Sequence, residues 1–474
     1  MPQAVPVPRL AGAGGTIPGK PATHGGAAIP DRFIDNRPTT DRAILVGAPR
    51  GRMRQVTARE HLEELARLAD TAGADVVGTV QQRIRSPHPH FYIGKGKAGE
   101  LRATARAAEA DLVIFDDELK PDQARHLEDF LGIRVMDRAE LILDIFATRA
   151  RTREARMQVE LAQLEYLLPR LKRMWSHLSR IRGGIGLRGP GETQLETDRR
   201  LIGTRISELK HKLEAVARSR ATQRKGRANS FRAALVGYTN AGKSSLLKAL
   251  SGADLLVEDR LFATLDSATR VVPVGEGHQA LLTDTVGFIR KLPHDLIASF
   301  RSTLEEAREA DLILHVVDAA APDWEGRLSA VHEVLEELDL LDAPRVLVFN
   351  KTDLITHGEE EVLRERVRGR EHTPSVFLSA YRPETLERLR SVLLARIRAA
   401  LQSVQVVLKV TDGGTLAALY REGEVVRTTR NGSALMVTAR LPAPALGRLQ
   451  ARGDIDILEV ASGAASEDIV PSSG

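Results

Sequence analysis

Residues 232–245 read RAALVGYTNAGKSS, an apolar run followed by the spacing GxxxxGKS from Gly237 to Ser244 and then by the helix-forming stretch LLKALSG. No other part of the chain restricts its fold as much. The glycines let successive backbone N–H groups face an anion, and the N-terminus of the helix that follows adds positive potential. A strand that delivers such a turn and a helix that leaves it belong to a mostly parallel sheet with helices on both faces. Lys243 is then placed for the β- and γ-phosphates of a nucleotide and Ser244 for a magnesium ion. By itself the pattern specifies only a nucleoside triphosphate, and a structural glycine turn also satisfies it.

Four further elements follow in order. Thr264 lies 20 residues after Ser244 in LFATLDSATR, where a mobile loop can bring its hydroxyl to magnesium. RVVPVGEGHQALLTDTVGF reads as a hairpin ending in Asp284, Thr285, Val286 and Gly287. There Asp284 can hold a magnesium-bound water, and the Gly287 N–H can meet a γ-phosphate. The strand RVLVFN delivers Asn350, Lys351, Thr352 and Asp353. The Asp353 carboxylate can accept both N–H donors of a guanine edge, whereas adenine would leave it unpaired. SVFLSA ends in Ser379 and Ala380, beside Tyr381, where a backbone N–H can meet the guanine O6.

The expected nucleotide-contacting set is therefore Gly237, Tyr238, Thr239, Asn240, Ala241, Gly242, Lys243 and Ser244, then Phe262, Ala263, Thr264, Leu265 and Asp266, then Asp284 to Gly287, Asn350 to Asp353, and Ser379 to Tyr381. Within it Lys243, Thr264, Gly287 and Asn240 bear on catalysis, and Ser244, Thr264 and (through water) Asp284 on the metal. These elements read as a guanine-nucleotide-binding domain over about 230–401, which resembles the P-loop GTPases of the translation-factor-related class. Phe288 follows the DxxG segment, where Ras-like GTPases carry a glutamine. An apolar side chain cannot orient water, so hydrolysis is expected to be slow alone and to need a partner, another group or an ion. In some related GTPases an asparagine at the position of Asn240 helps to bind potassium, so the resemblance raises potassium as a cofactor here.

Upstream, residues 40–148 alternate apolar runs (RAILVGA, VVGTVQQR, HFYIG, DLVIFDD, IRVMDR) with helical patterns, as in a parallel α/β domain. Gly94, Gly96 and Gly99 follow HFYI with the GxGxxG spacing, and Asp116 lies 20 residues beyond Gly96. A structural or phosphate-contacting turn is preferred there to a dinucleotide site. From 149 to 225, Met157, Leu161, Leu164, Leu168, Leu171, Trp175 and Leu178 alternate by four and three; Leu195, Ile202, Ile206, Leu209, Leu213 and Val216 follow the same kind of spacing. Two such helices make an antiparallel hairpin, with Pro169 expected to kink the first.

The loop RIRGGIGLRGPGETQLE also satisfies GxGxxG, at Gly184, Gly186 and Gly189. It follows a heptad helix rather than a strand, which removes the dinucleotide context. Thr193 and Glu196 have the spacing of a capping box for the second helix. Residues 149–225 hold 19 Lys and Arg against 8 Asp and Glu, a net of +11, while the whole chain carries only +5. The rest is thus acidic at −6. A phosphate backbone is the expected partner of this hairpin, with Arg180, Arg182 and Arg188 and the glycine/arginine loop at 182–192 as its contacts.

The 474 residues allow three or four domains. Twelve of the first 30 are Pro or Gly, so 1–39 is expected to be a disordered tail, as is 464–474. A small α/β or α+β domain is expected over 402–463. The absence of cysteine fits a reducing cytoplasm, and no apolar run or secretory start marks a membrane or export segment.

Several stretches outside the nucleotide domain resemble one family, the HflX GTPases. They are IGKGKAGEL, FDDELKPDQARHLE, DRAELILDIFATRARTREARMQVELAQLEYLLPRL and RGGIGLRGPGETQLETDRRLI, joined by GYTNAGKSSL, FATLD, DTVGFI and NKTDL. The resemblance implies a cytoplasmic GTPase, monomeric, that associates with the large ribosomal subunit and its rRNA and splits or rescues stalled or idle ribosomes. Peripheral membrane association stays open, without stable insertion. A ribosome-assembly role, or ATP-driven RNA remodelling through the N-terminal domain, are the alternatives.

Overall fold

The computed structural model describes residues 40–171, 194–225, 230–254, 260–293, 306–370, 373–451 and 456–459. The first domain is a four-stranded parallel sheet in the order β2-β1-β3-β4, formed by β1 (Arg42–Gly47), β2 (Asp75–Gln81), β3 (Leu112–Phe115) and β4 (Arg134–Asp137). Alternation along β1 sends Ala43 and Leu45 to one core and Ile44 and Val46 to another. Helices α1 (Gln55–Ala72) and α4 (Arg138–Arg149) cover the first face; α2 (Lys95–Ala107) and α3 (Pro121–Leu131) cover the second. Burial on both faces explains the unbroken apolar runs of this region.

The expected strand at HFYIG does not form. His88 and Tyr92 make an isolated antiparallel bridge, and the His88 imidazole accepts the N–H groups of His90 and Phe91. This turn lies among Pro87 and Pro89, which cannot donate to a ladder. Gly94 caps α2 with an ordinary extended φ of −63°, and a side chain at Gly96 or Gly99 would meet open space. Asp116 is engaged by Arg138 at 2.8 Å and by Lys291. The strand-turn-helix context of a dinucleotide fingerprint is therefore missing at Gly94, Gly96 and Gly99.

α5 (Arg153–Leu167) runs into a 3-10 turn at Leu168–Arg170, where Pro169 sits, and α6 (Gln194–Lys225) packs against it. Leu161, Ile206 and Leu209 form the seam, flanked by Met157, Leu164, Leu168, Ile202 and Leu213. Arg205 forks onto Glu160 at 2.7 and 3.0 Å, and Lys210 meets Glu165 at 2.9 Å. Both pairs join like heptad positions, g with g and e with e, the flanking pattern of antiparallel helices. The C-terminal end of α5 is pinned to the first domain. Tyr166 Oη donates to Asp137 at 2.9 Å, and Arg170 lies 3.6 Å over the Tyr166 ring while donating to Leu119 O.

The third unit is a six-stranded sheet in the order β10-β9-β8-β5-β7-β6. Its strands are β5 (Phe231–Gly237), β6 (Ala268–Gly275), β7 (His278–Asp284), β8 (Leu312–Asp318), β9 (Arg345–Asn350) and β10 (Ser375–Phe377). Only β6 runs antiparallel, joined to β7 through Glu276 and Gly277, both at positive φ, the geometry of a tight hairpin turn. Helices α7 (Lys243–Ser251), α8 (Trp324–Glu337), α9 (His357–Arg370) and α10 (Pro383–Ala399) pack around it. The last unit is β11 (Gln402–Lys409), α11 (Gly413–Glu422), β12 (Glu424–Asn431), β13 (Ala434–Leu441), α12 (Ala443–Gln450) and β14 (Asp456–Glu459). Its sheet is antiparallel in the order β12-β13-β11-β14, a split βαβ arrangement and thus α+β. Among the described residues no helix is long and apolar enough to cross a membrane.

His315 stands on the central strand β8 with 1% exposure. Burial, aided by the positive charges of nearby groups, holds its pKa well below the ordinary value, so it is neutral when folded. The unfolded chain takes up a proton below a pH of about 6.5 and the folded one does not. Stability is therefore full above that pH and should fall by up to about 1.4 kcal/mol per unit below it. Urea unfolding between about pH 6.5 and 5.5 should show this slope, and the variant His315→Asn should flatten it.

Candidate functional site

The turn after β5 is built on close approaches. A Cβ at Gly237 would lie 2.3 Å from Val316 O, and one at Gly242 would lie 2.2 Å from Asn350 Nδ2. Gly242 also adopts φ 90°, and Asn240 φ 59°, so the loop curls over the start of α7. Lys243, the first residue of α7, is buried and donates to Gly237 O and Tyr238 O, both at 3.2 Å. Burial pushes its pKa down to about 8, partly offset by the charge of Asp284. Such an ammonium gains most from an anion delivered into the loop.

Three oxygen donors meet below it. Ser244 Oγ lies 2.7 Å from Thr264 Oγ1 and 2.6 Å from Asp284 Oδ2. Asp284 is 2% exposed, burial raises its pKa against the pull of Lys243, and its Oδ1 is buried without a hydrogen-bond partner among the described residues. Hard oxygen donors around an unsatisfied carboxylate oxygen suit magnesium. The donor set fits that ion.

The other end of the site is framed by Asn350. Its Nδ2 donates to Ala241 O at 2.9 Å, and its Oδ1 accepts from the Ala380 N–H at 3.0 Å, so one side chain ties the phosphate loop to the loop after β10. Lys351, at φ 66°, reaches Asp318 at 2.9 Å. Ser379 Oγ donates to Asp353 Oδ1 at 2.5 Å and so orients the carboxylate. A cleft of about 380 Å³ joins the two ends, lined by Thr239, Asn240, Gly242, Lys243, Ser244, Phe262, Ala263, Thr264, Gly287, Asn350, Lys351, Asp353 and Tyr381. Ser245, Arg260 and Leu354 also line it, and no motif pointed to them.

Other expected contacts are turned elsewhere. The Asp266 carboxylate accepts from the backbone N–H groups of Arg151 and Thr152 (3.2 and 3.3 Å) and from the Thr152 hydroxyl, at the start of α5. Thr285 is fully buried and donates to Leu235 O at 2.8 Å, tying β7 to β5. Leu265, Val286 and Thr352 are buried away from the cleft. Of the backbone N–H groups at Ser379 and Ala380, that of Ala380 is taken by Asn350 and that of Ser379 by Thr385 Oγ1. The Tyr238 side chain leaves the cleft for Glu64 of the first domain. Arg180, Arg182 and Arg188 lie outside the described residues.

The region 59–147 matches the family described as GTP-binding GTPase N-terminal, 149–227 the GTP-binding GTPase middle region, and 232–351 the 50S ribosome-binding GTPase family. Three relatives each carry the name GTPase HflX. That of Magnetococcus marinus is 44% identical over 432 residues, 90% of this chain and 99% of the relative. That of Caldanaerobacter subterraneus is 51% identical, covering 66% of this chain and 73% of the relative. That of Escherichia coli is 44% identical, covering 76% and 85%.

Replacing Asp353 by Asn turns an acceptor into a donor at the base end of the cleft. Asp353→Asn should weaken GDP binding by about a hundredfold or more and shift preference to a xanthine base, whose 2-oxo group accepts the new amide. Displacement of a fluorescent guanine nucleotide measures both.

Proposed function

Because the chain belongs to the HflX family of GTPases, we propose that it is a GTP-driven switch that binds the large ribosomal subunit and there splits stalled or idle ribosomes. The observation that carries this reading is the single cleft in which the Lys243–Ser244–Thr264–Asp284 cluster and the Asn350–Asp353 cluster meet. Asp353 and Asn350 hold the guanine end, and the loop Gly237–Gly242 wraps the phosphates. Lys243 exchanges its two carbonyl partners for β- and γ-oxygens. Thr264 and Gly287 report the γ-phosphate, Thr264 through its hydroxyl and Gly287 through its N–H. Magnesium, when bound at Ser244, Thr264 and (through water) Asp284, neutralises charge on the phosphates. Phe288 offers no hydrogen bond to the attacking water, so turnover is slow until the ribosome supplies or orders a group that does.

The concentration of +11 within 149–225 supports rRNA as what the hairpin meets. Asn240 lines the cleft, the place from which it would help to hold potassium. The same reading puts the protein in the cytoplasm, acting as a monomer.

With a non-hydrolysable GTP analogue the protein should co-sediment with large subunits at moderate salt, and with GDP it should not; equal pelleting would sink the switch. Light scattering of intact ribosomes mixed with protein and GTP should fall if it splits them, whereas binding without a fall indicates a role in assembly. GTP turnover should be faster in potassium than in sodium buffer; equal rates remove the potassium role of Asn240.

A further inference from the structure

Since Phe288 cannot orient a water, the segment that carries it must be set by contacts of its own. That segment is bonded to three successive residues of the phosphate loop, with Tyr238 at their centre. The Phe288 N–H donates to Gly237 O at 3.0 Å and the Thr239 N–H donates to Phe288 O at 2.7 Å, so Tyr238 and Phe288 lie side by side as a parallel bridge. Two residues on, the Arg290 N–H donates to the Tyr238 hydroxyl at 3.0 Å. The hydroxyl donates in turn to Glu64 of α1. Between these ties there is little slack at Gly287, where a Cβ would lie 2.9 Å from Thr239 Cα and 3.1 Å from Lys243 Nζ. A slip of the segment would shift the Gly287 N–H relative to the lysine.

Glu64 is itself fixed. Arg138, 2% exposed, donates to Glu64 and, at 2.8 Å, to Asp116, which also takes Lys291. Burial would lift the Glu64 carboxyl, but Arg138 and the Tyr238 hydroxyl outweigh it and hold it below the ordinary value. Burial and the Glu64 charge raise the Tyr238 pKa, so the phenol remains a donor. The ring is 4% exposed and stands outside the cleft. For packing alone a phenylalanine would serve.

We infer that Tyr238 and Glu64 are positioning residues for GTP hydrolysis: the Tyr238 hydroxyl, anchored by a carboxylate of the N-terminal domain, sets the Gly287–Arg290 segment against the phosphate loop. Neither side chain lines the cleft. The inference rests on the GTPase activity and not on any action at the ribosome.

The test uses the full-length chain as Tyr238→Phe, Glu64→Gln and the double variant. Three readouts are taken: GDP affinity, the single-turnover rate at saturating GTP, and the thermal midpoint. Tyr238→Phe should slow hydrolysis about tenfold, the size expected for a hydrogen bond to a charged group, while GDP affinity stays within about twofold. Glu64→Gln should slow it as well, and the double variant should be no slower than the slower single, since both belong to one chain of contacts. An unchanged or faster rate in Tyr238→Phe overturns the inference. So does a loss of GDP affinity in step with the rate, or additive losses in the double variant. Tyr238→Phe keeps the ring, so it carries the test alone if Glu64→Gln lowers the thermal midpoint.

Discussion

Gly237 and Gly242 hold the phosphate loop against strands that come from much further along the chain. With Val316 O and Asn350 Nδ2 each occupying the place of a Cβ, β5, β8 and β9 must end together beneath the loop. Asn350 then acts as a strut, one end on Ala241 O and the other on the Ala380 N–H. The guanine end and the phosphate end are thereby fixed to each other by the protein's own contacts. Preorganisation of this kind spares the ordering cost on binding.

The first domain and the nucleotide domain are not separate modules. Ala43, Leu45 and Phe146 share one apolar cluster with Ala234, Val236 and Phe262, and the Phe146 and Phe262 rings meet edge to face at 4.6 Å. Beside this apolar contact lies a buried set of charges, Glu64, Arg138 and Asp116, reached by Tyr238 from one loop and by Lys291 from another. Removing one member of such a set leaves a buried charge uncompensated, which costs more than the pair contributes. The loops that must respond to the γ-phosphate are thus in contact with the domain that precedes them.

Much of this was legible in the sequence because the signals are local. The apolar runs of β1, β3, β5, β8 and β9 mark strands covered on both faces, and the four-and-three spacing from Met157 to Leu168 marks the helical seam. Phosphate, metal and base motifs fall on strand ends or the loops that leave them, so their convergence follows from the topology. HFYIG failed as a strand because a histidine-capped turn between prolines competes with the ladder. The Asp266 and Tyr238 side chains turn away from the cleft for a different reason. Their partners lie 114 and 174 residues away, and nothing in a local pattern announces a pairing at that separation.

The bond from Asp266 to the first turn of α5 lies two residues beyond Thr264 and at the root of the helical hairpin. α6, with 32 residues, is a rod about 48 Å long at 1.5 Å per residue. A tilt of about 5° at one end of such a rod carries the other by about 4 Å, roughly the rise of three residues. The rod does not swing freely, because Ala155, Val159, Ala162 and Tyr166 of α5 pack into the core of the first domain. A displacement at the Asp266 contact would therefore reach the far end of the rod only with the first domain moving beside it.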